Sequence, residues 1–87
     1  MLDRVKFALR VSNNKFDEEI NDLIQAGVRD LKISGVNTID ESDPLIVQAI
    51  KTYCKAYFWA DNKDSERYIN SYESIKQHLS LCGEYNE

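Results

Sequence analysis

The sequence contains few of the residues on which enzymes and metal sites depend. Its single histidine, His78, excludes a metal site with two histidine ligands from one chain. Its three glycines, Gly27, Gly35 and Gly83, are isolated from one another, so there is no glycine-rich phosphate loop. No glycine elbow surrounds a hydroxyl residue, and no base neighbours either cysteine in sequence. We therefore expect no catalytic activity, no cofactor and no bound metal.

Cysteines and long apolar runs are also scarce. Cys54 and Cys82 lack metal-ligand spacing, and each lies on a predicted helical apolar face. We interpret them as buried, reduced thiols, with a disulfide as the alternative. No apolar run approaches the roughly 20 residues that span a bilayer, and the first residues are charged too early for a signal peptide. The expectation is a soluble protein made in the cytoplasm.

Basic residues are outnumbered by acidic ones. The chain has 11 lysines and arginines against 15 aspartates and glutamates, a formal net charge of −4. This balance argues against a protein that binds nucleic-acid phosphates. A surface of negative net charge instead lets DNA pass without binding it. With 87 residues, 43% of them hydrophobic and 30% charged, the chain is expected to be one globular domain over residues 1–87 with a modest core.

Apolar residues recur at three- and four-residue steps, and no segment alternates with period two. This pattern predicts an all-α fold, a small four-helix bundle of one short N-terminal helix and three longer helices. The predicted helices span residues 2–10, 15–33, 44–61 and 66–82. Residues 83–87 have no periodicity, and we predict a flexible tail there.

The third helix has the clearest start signal and the densest apolar content. Asp43 is the predicted N-cap, and Pro44 suits the first helical turn. Its predicted core face consists of Ile46, Ala49, Ile50, Tyr53, Cys54, Tyr57 and Ala60. Its predicted opposite face carries Gln48, Lys51, Thr52 and Lys55, and Val47 and Phe58 lie at the edge.

The ends of the other helices are predicted from their turn residues. Asn14 is the expected cap of the second helix, and Ser34-Gly35 its expected end. Gly83 is expected to close the fourth helix in the same way. Because a mid-helix glycine costs roughly 1 kcal/mol relative to alanine, Gly27 on the apolar stripe of the second helix predicts a close helix–helix crossing.

Several apolar side chains are predicted to lie away from the core. Trp59 projects nearly opposite the core face of the third helix, and Leu81 points away from that of the fourth. Trp59 either folds under the chain's own N-terminal helix or anchors a contact with another subunit, since aromatic anchors are enriched at interfaces.

Two charged strips extend this hypothesis. Lys51 and Lys55 form a basic strip, and Asp17, Glu18, Glu19 and Asp22 form an acidic one. Such strips are either solvated faces or parts of a head-to-tail contact between copies, which closes into a ring. The candidate interface residues are therefore Trp59, Phe58, Lys51, Lys55, Asp17, Glu18, Asp22, Leu81 and Tyr85.

Three motifs carry a family resemblance. They are Leu2-x-x-Val5-Lys6-x-x-Leu9-Arg10, then Phe16-Asp17-Glu18-Glu19-Ile20-x-x-Leu23-Ile24-x-Ala26, then Asp43-Pro44-Leu45 with Ala49-Ile50 and Tyr53. With these motifs the chain resembles the head–tail connector proteins of tailed bacteriophages and prophages, also called head-completion or adaptor proteins. The likeness runs from Leu2 to about Tyr85 and includes the order of the helices.

The resemblance implies a virion protein without catalytic activity at the head–tail junction. Its copies would form a ring under the portal protein, extend the DNA channel and offer a platform to the stopper or tail-completion protein. Duplex DNA would pass through this channel without specific binding, and no membrane or small-molecule substrate is implied. The tail at residues 83–87 is a candidate for a segment that orders on docking.

Two other functions remain as alternatives. A small phage-encoded helical DNA-binding regulator would need a basic recognition helix, and the helix with Lys51 and Lys55 is poor in such residues. An enzyme subunit would need other chains to complete a site around His78.

Overall fold

A computed structural model describes residues 1–59 and 63–86 of the chain. The described residues form four α-helices, α1 (Leu2–Leu9), α2 (Asp17–Ile33), α3 (Pro44–Phe58) and α4 (Ser65–Leu81), followed by a 3₁₀ turn at Gly83–Tyr85. No strand occurs among them. The prediction of an all-α fold with one short helix and three longer helices is confirmed.

Helix α3 lies at the centre of the bundle and contacts α1, α2 and α4. Because three helices surround it, its buried face is wider than predicted and comprises Ile46, Val47, Ala49, Ile50, Thr52, Cys54 and Ala56. Thr52 was predicted on the polar face, but its hydroxyl donates a hydrogen bond of 2.7 Å to the Gln48 carbonyl oxygen and is thus satisfied when buried. Tyr57 was predicted on the core face, yet it is half exposed and packs on the Tyr53 ring at the end of the helix.

The cap predictions at α3 and at the end of α2 are confirmed. One Asp43 carboxylate oxygen accepts a 2.9 Å hydrogen bond from the Leu45 amide, and Pro44 occupies the first turn. Gly35 follows the end of α2 with a φ of 100°, the left-handed conformation that favours glycine. Helix α3 ends at Phe58, earlier than predicted, while Ala60 and Asp61 lie outside the described residues.

Two other cap predictions are wrong. Phe16, not Asn14, occupies the N-cap position of α2, and no side chain makes a cap hydrogen bond there. Helix α4 ends at Leu81, and Gly83 begins the 3₁₀ turn without a positive φ. A left-handed cap occurs instead at Arg10 (φ 63°), next to which the Val11 amide donates to the Lys6 carbonyl oxygen.

The C-terminal turn packs against the bundle, which differs from the predicted flexible tail. Tyr85 is buried, and its hydroxyl donates a 2.6 Å hydrogen bond to the second carboxylate oxygen of Asp43. Its carbonyl oxygen accepts hydrogen bonds from the amides of Asn37 and Thr38. The chain end is thereby tied to the connection that precedes α3. Glu87 lies outside the described residues.

Helices α2 and α3 approach each other closely at Gly27, as predicted. A Cβ atom added at Gly27 would lie 3.1 Å from the Tyr53 Cδ1 atom and 3.3 Å from the Ile50 Cδ1 atom. The absence of a side chain therefore allows α2 to rest directly on the Ile50 and Tyr53 side of α3.

Replacement of Gly27 by leucine should destabilise the protein. The added side chain overfills the crossing and should lower the free energy of unfolding by about 1–3 kcal/mol, in spite of the better helix propensity of leucine. Urea denaturation measures this difference. Ala26→Leu, one residue away on the exposed side of α2, is the matched control and should have little effect. Equal losses in the two variants would contradict a close contact at Gly27.

A polar contact joins α2 to α4. The Tyr72 hydroxyl donates a 2.6 Å hydrogen bond to an Asp30 carboxylate oxygen, and the Lys76 ammonium lies 3.1 Å from the same oxygen. Lys76 also pairs with Glu73 at 3.0 Å. Burial, followed by the hydrogen bond to Asp30, raises the pKa of Tyr72. Burial also raises the pKa of the Cys54 thiol to about 12.

These raised pKa values predict a loss of stability in alkali. Above their ordinary pKa values, about 8.5 for cysteine and 10 for tyrosine, the unfolded chain releases protons that Cys54 and Tyr72 retain when folded. Because the unfolded state then binds fewer protons, the free energy of unfolding should fall as the pH rises from 9 to 11. Urea denaturation across this range tests the prediction. Tyr72→Phe should reduce the fall in the free energy of unfolding above pH 10. A free energy of unfolding that stays constant from pH 9 to 11 would contradict the raised pKa values.

Candidate subunit interface

One accessible strip of α3 carries two lysines, and we call its residues Gln48, Lys51, Lys55 and Trp59 the α3 strip. These positions recur at three- and four-residue steps, so they share one helical face. Because α2 packs on the Ile50 and Tyr53 side, the α3 strip lies on the far side of α3 from α2. Lys51 and Lys55 are half-buried along it, whereas Gln48 and Trp59 are exposed.

Trp59 lies immediately after the last turn of α3, where the backbone is extended. Its ring meets the Phe58 ring edge-on at a centroid distance of 4.7 Å. It borders a shallow hollow of about 320 Å³ between the end of α1, the end of α3 and the start of α4. The indole lies beside α1 but stays 46% exposed, so it can contact a partner without opening the core.

Cationic side chains from three helices surround this hollow. Arg10 and Lys55 line it together with Trp59 and Tyr68. The Lys55 ammonium lies 5.6 Å and the Arg67 guanidinium 5.4 Å from the centroid of the Tyr68 ring, within the range of cation–π attraction. Arg67 also pairs with Asp64 at 3.4 Å. The α3 strip therefore ends in a basic, aromatic patch on a chain of negative net charge.

Sequence reasoning identified Trp59 and Lys55 but missed Arg10, Arg67 and Tyr68. Arg10 lies far in the chain from the adjacent Arg67 and Tyr68, and it comes close to them only because α1 ends where α4 begins. Antiparallel packing of consecutive helices, which short connections favour, was the signal that could have placed them together.

The other predicted apolar candidates do not join this patch as one surface. Phe58 is half-buried and packs edge-on against Phe16 at 5.5 Å, so it belongs partly to the core. Leu81 is 78% exposed but lies at the other end of the bundle, where α4 finishes. Tyr85 is buried at that same end through its bond to Asp43.

The acidic candidates lie on α2, on the opposite side of the subunit. An Asp17 carboxylate oxygen is 2.7 Å from the Lys6 ammonium, so this residue is engaged within the chain. Glu18, Glu19 and Asp22 are exposed. Since α2 separates their outward face from α3, the acidic face and the α3 strip cannot meet within one subunit. Contact between them requires a second copy.

A groove beside the acidic face was missed by sequence reasoning. We call it the α2 groove; it has a volume of about 690 Å³ and is lined by Met1, Ile24, Gln25, Val28, Lys32, Ile39, Asp40, Glu41 and Ser42. Hydrogen bonds from the Ser42 hydroxyl and amide lower the pKa of Asp40 and keep its carboxylate charged. The groove arises because the connection between α2 and α3 folds back beside α1, where Arg4 donates to the Glu41 carbonyl oxygen.

The described part of the chain offers surfaces for contact and no evident reaction centre. Within it, no group of three or more histidine, cysteine, aspartate or glutamate residues could hold a metal ion. His78 is exposed on α4, and Cys54 and Cys82 are free thiols. No described helix combines the length and apolar character that crossing a membrane requires.

Trp59→Ala should leave the isolated subunit nearly as stable as before. Because about half of the side chain is already exposed, its removal should lower the free energy of unfolding by less than about 1.5 kcal/mol. Ile50→Ala, at a fully buried position of the same helix, should cost about 2–5 kcal/mol. Thermal and urea denaturation of dilute protein measure both. A loss at Trp59 as large as that at Ile50 would place the indole in the core.

Comparison with known proteins gives one match. The model of a family described as phage connector protein matches residues 1–86. This match extends over all four helices and therefore includes both the α3 strip and the α2 groove. No curated protein and no solved structure shows a significant match.

Proposed function

Because the chain belongs to the phage connector proteins, we propose that its copies form a ring below the portal protein and connect the DNA-filled head to the tail or stopper. Family membership makes the chain a structural component of the virion that contacts other virion proteins. What we propose beyond family membership is the ring, its position below the portal and its DNA channel.

The placement of the two charged faces is the observation that supports a ring most strongly. The α3 strip carries Lys51 and Lys55 on one side of the subunit, and the outward face of α2 carries Glu18 and Asp22 on the other. A contact between two different faces of identical subunits is heterologous, and such contacts generate rings when the rotation closes. Opposite charge on the two faces favours this arrangement over pairing of like faces.

A channel for DNA fits the charge of the chain. A net charge of −4 per subunit gives an assembled ring a negative field, which repels phosphates and disfavours adhesion of the passing duplex. The basic patch at Arg10, Lys55 and Arg67 is placed in the subunit contact under this proposal, so it does not line the channel.

The part of the subunit where α2 and α4 end is available for contact with other virion proteins. Ile33 and Leu81 are 72% and 78% exposed, and they lie where α2 and α4 end. Exposed apolar side chains of this kind are candidates for contact with the portal or the stopper protein. Leu81 thus keeps its predicted interface role, with a partner other than a neighbouring copy.

The experiment is to measure the oligomeric state of the purified chain over a range of concentrations, alone and with its cognate portal protein. Light scattering coupled to size exclusion gives the mass, and electron microscopy shows whether particles are rings. We expect rings, and Trp59→Ala should weaken their formation about 30-fold or more, as for an interface hot spot. Leu45→Ala, on the same helix with a side chain of similar exposure (44%), is the matched control.

Two outcomes would count against a connector ring. A chain that stays monomeric even with the portal protein present would contradict it. Binding to duplex DNA that weakens steeply with salt in a gel-shift experiment would favour the DNA-binding regulator instead.

A further inference from the structure

The α2 groove has the character of a binding site for an apolar side chain with a cation beside it. Its apolar lining comes from Met1, Ile24, Val28 and Ile39, and the side chains of Asp40 and Glu41 lie on its rim. The exposed carboxylates of Glu18 and Asp22 continue the negative charge along α2. Three cations offset part of this negative charge. Lys32 lines the groove, Arg29 lies on the outward face of α2, and Arg4 donates to the Glu41 carbonyl oxygen.

The far side of the subunit carries a matching group. Trp59 is the chain's single tryptophan and is half exposed, with Lys55 and Arg10 lining the same hollow and Lys51 one turn further along α3. Aromatic side chains next to cations are typical interface anchors, because they bury a large apolar area while the charges select the partner.

We propose that the α2 groove receives Trp59 of a neighbouring copy of this chain. The indole would rest on Val28 and Ile39, and the lysines of the neighbour's α3 strip would face Asp40 and Glu41. This inference rests on the proposed ring and names the two surfaces that join its subunits.

The positions of the two sites exclude closure within one subunit. Trp59 follows the end of α3, whereas the groove borders the connection that leads into the start of α3. Fifteen residues of helix separate these ends by about 22 Å. Each subunit therefore offers one indole and one groove to other copies, and head-to-tail contacts of this kind generate a ring when the rotation between copies closes.

The first test uses Trp59 as its own reporter. Transfer of the half-exposed indole into the groove should shift its fluorescence emission to shorter wavelength as the protein concentration rises through the assembly midpoint. The shift should follow the mass measured by light scattering. If rings form while the emission stays unchanged, the groove assignment fails and the proposed function stands. If no assembly occurs at any concentration or with the portal protein, both fail.

The second test reverses charges across the proposed contact. Glu41→Lys and Lys51→Glu should each raise the assembly midpoint about tenfold, and the double variant should recover part of this loss because opposite charges face each other again. Glu84→Lys makes the same change of net charge at an exposed carboxylate outside the groove and is the matched control. Circular dichroism of each dilute variant verifies folding. Equal effects of Glu41→Lys and Glu84→Lys, or no recovery in the double variant, would overturn the proposal.

A further variant separates Trp59 from another exposed aromatic. Phe7 is 75% exposed with the Arg10 guanidinium 5.6 Å from its ring centroid, so it has a similar character. Under the proposal, Phe7→Ala leaves the midpoint unchanged within about twofold, whereas Trp59→Ala raises it about 30-fold or more. The reverse order would assign the groove to Phe7 and overturn the proposal.

Discussion

The enclosure of α3 by three other helices is the constraint on which the structure depends. A chain of 87 residues has a small core, and this one builds it around a single helix that three other helices contact. The close approach of α2 at Gly27 contributes to this enclosure, because even a Cβ atom there would crowd the side chains of Tyr53 and Ile50. The lysines of α3 thereby lie on the side away from α2, and the acidic face of α2 lies on the opposite side of the subunit. The fold itself thus produces a subunit with two unlike faces.

Polar contacts fix the ends of this arrangement. Asp30 on α2 accepts a hydrogen bond from Tyr72 and pairs with Lys76, both on α4. Lys6 on α1 pairs with Asp17 at the start of α2. Each contact joins two of the helices that pack around α3. The lysines in both contacts are largely buried, whereas the two aspartates stay about one-third exposed. These contacts therefore add links between α2 and α4 and between α1 and α2 beside the apolar packing on α3.

Features that depend on neighbouring residues, such as helix ends, could be predicted from the sequence. Features that depend on how the helices pack, such as which side chains are buried, could not. Asp43-Pro44 and Gly35 specify helix ends through hydrogen bonds within a few residues, and Gly27 stood out because a glycine on an apolar stripe is costly without a close neighbour. Thr52 and Tyr57 were placed on the wrong faces because burial depends on how many helices surround α3. The tail, the α2 groove and the basic patch were missed for a related reason, since each joins residues distant in the chain.

The two oxygens of Asp43 have a consequence for the order of events during synthesis. One oxygen accepts from the Leu45 amide at the start of the central helix, and the other accepts from the hydroxyl of Tyr85 near the end of the chain. This second link cannot form until Tyr85 has been synthesised, 42 residues after Asp43. The central helix can therefore begin during translation before its anchorage to the C-terminal turn is made, because that anchorage waits for a residue 42 positions later in the chain.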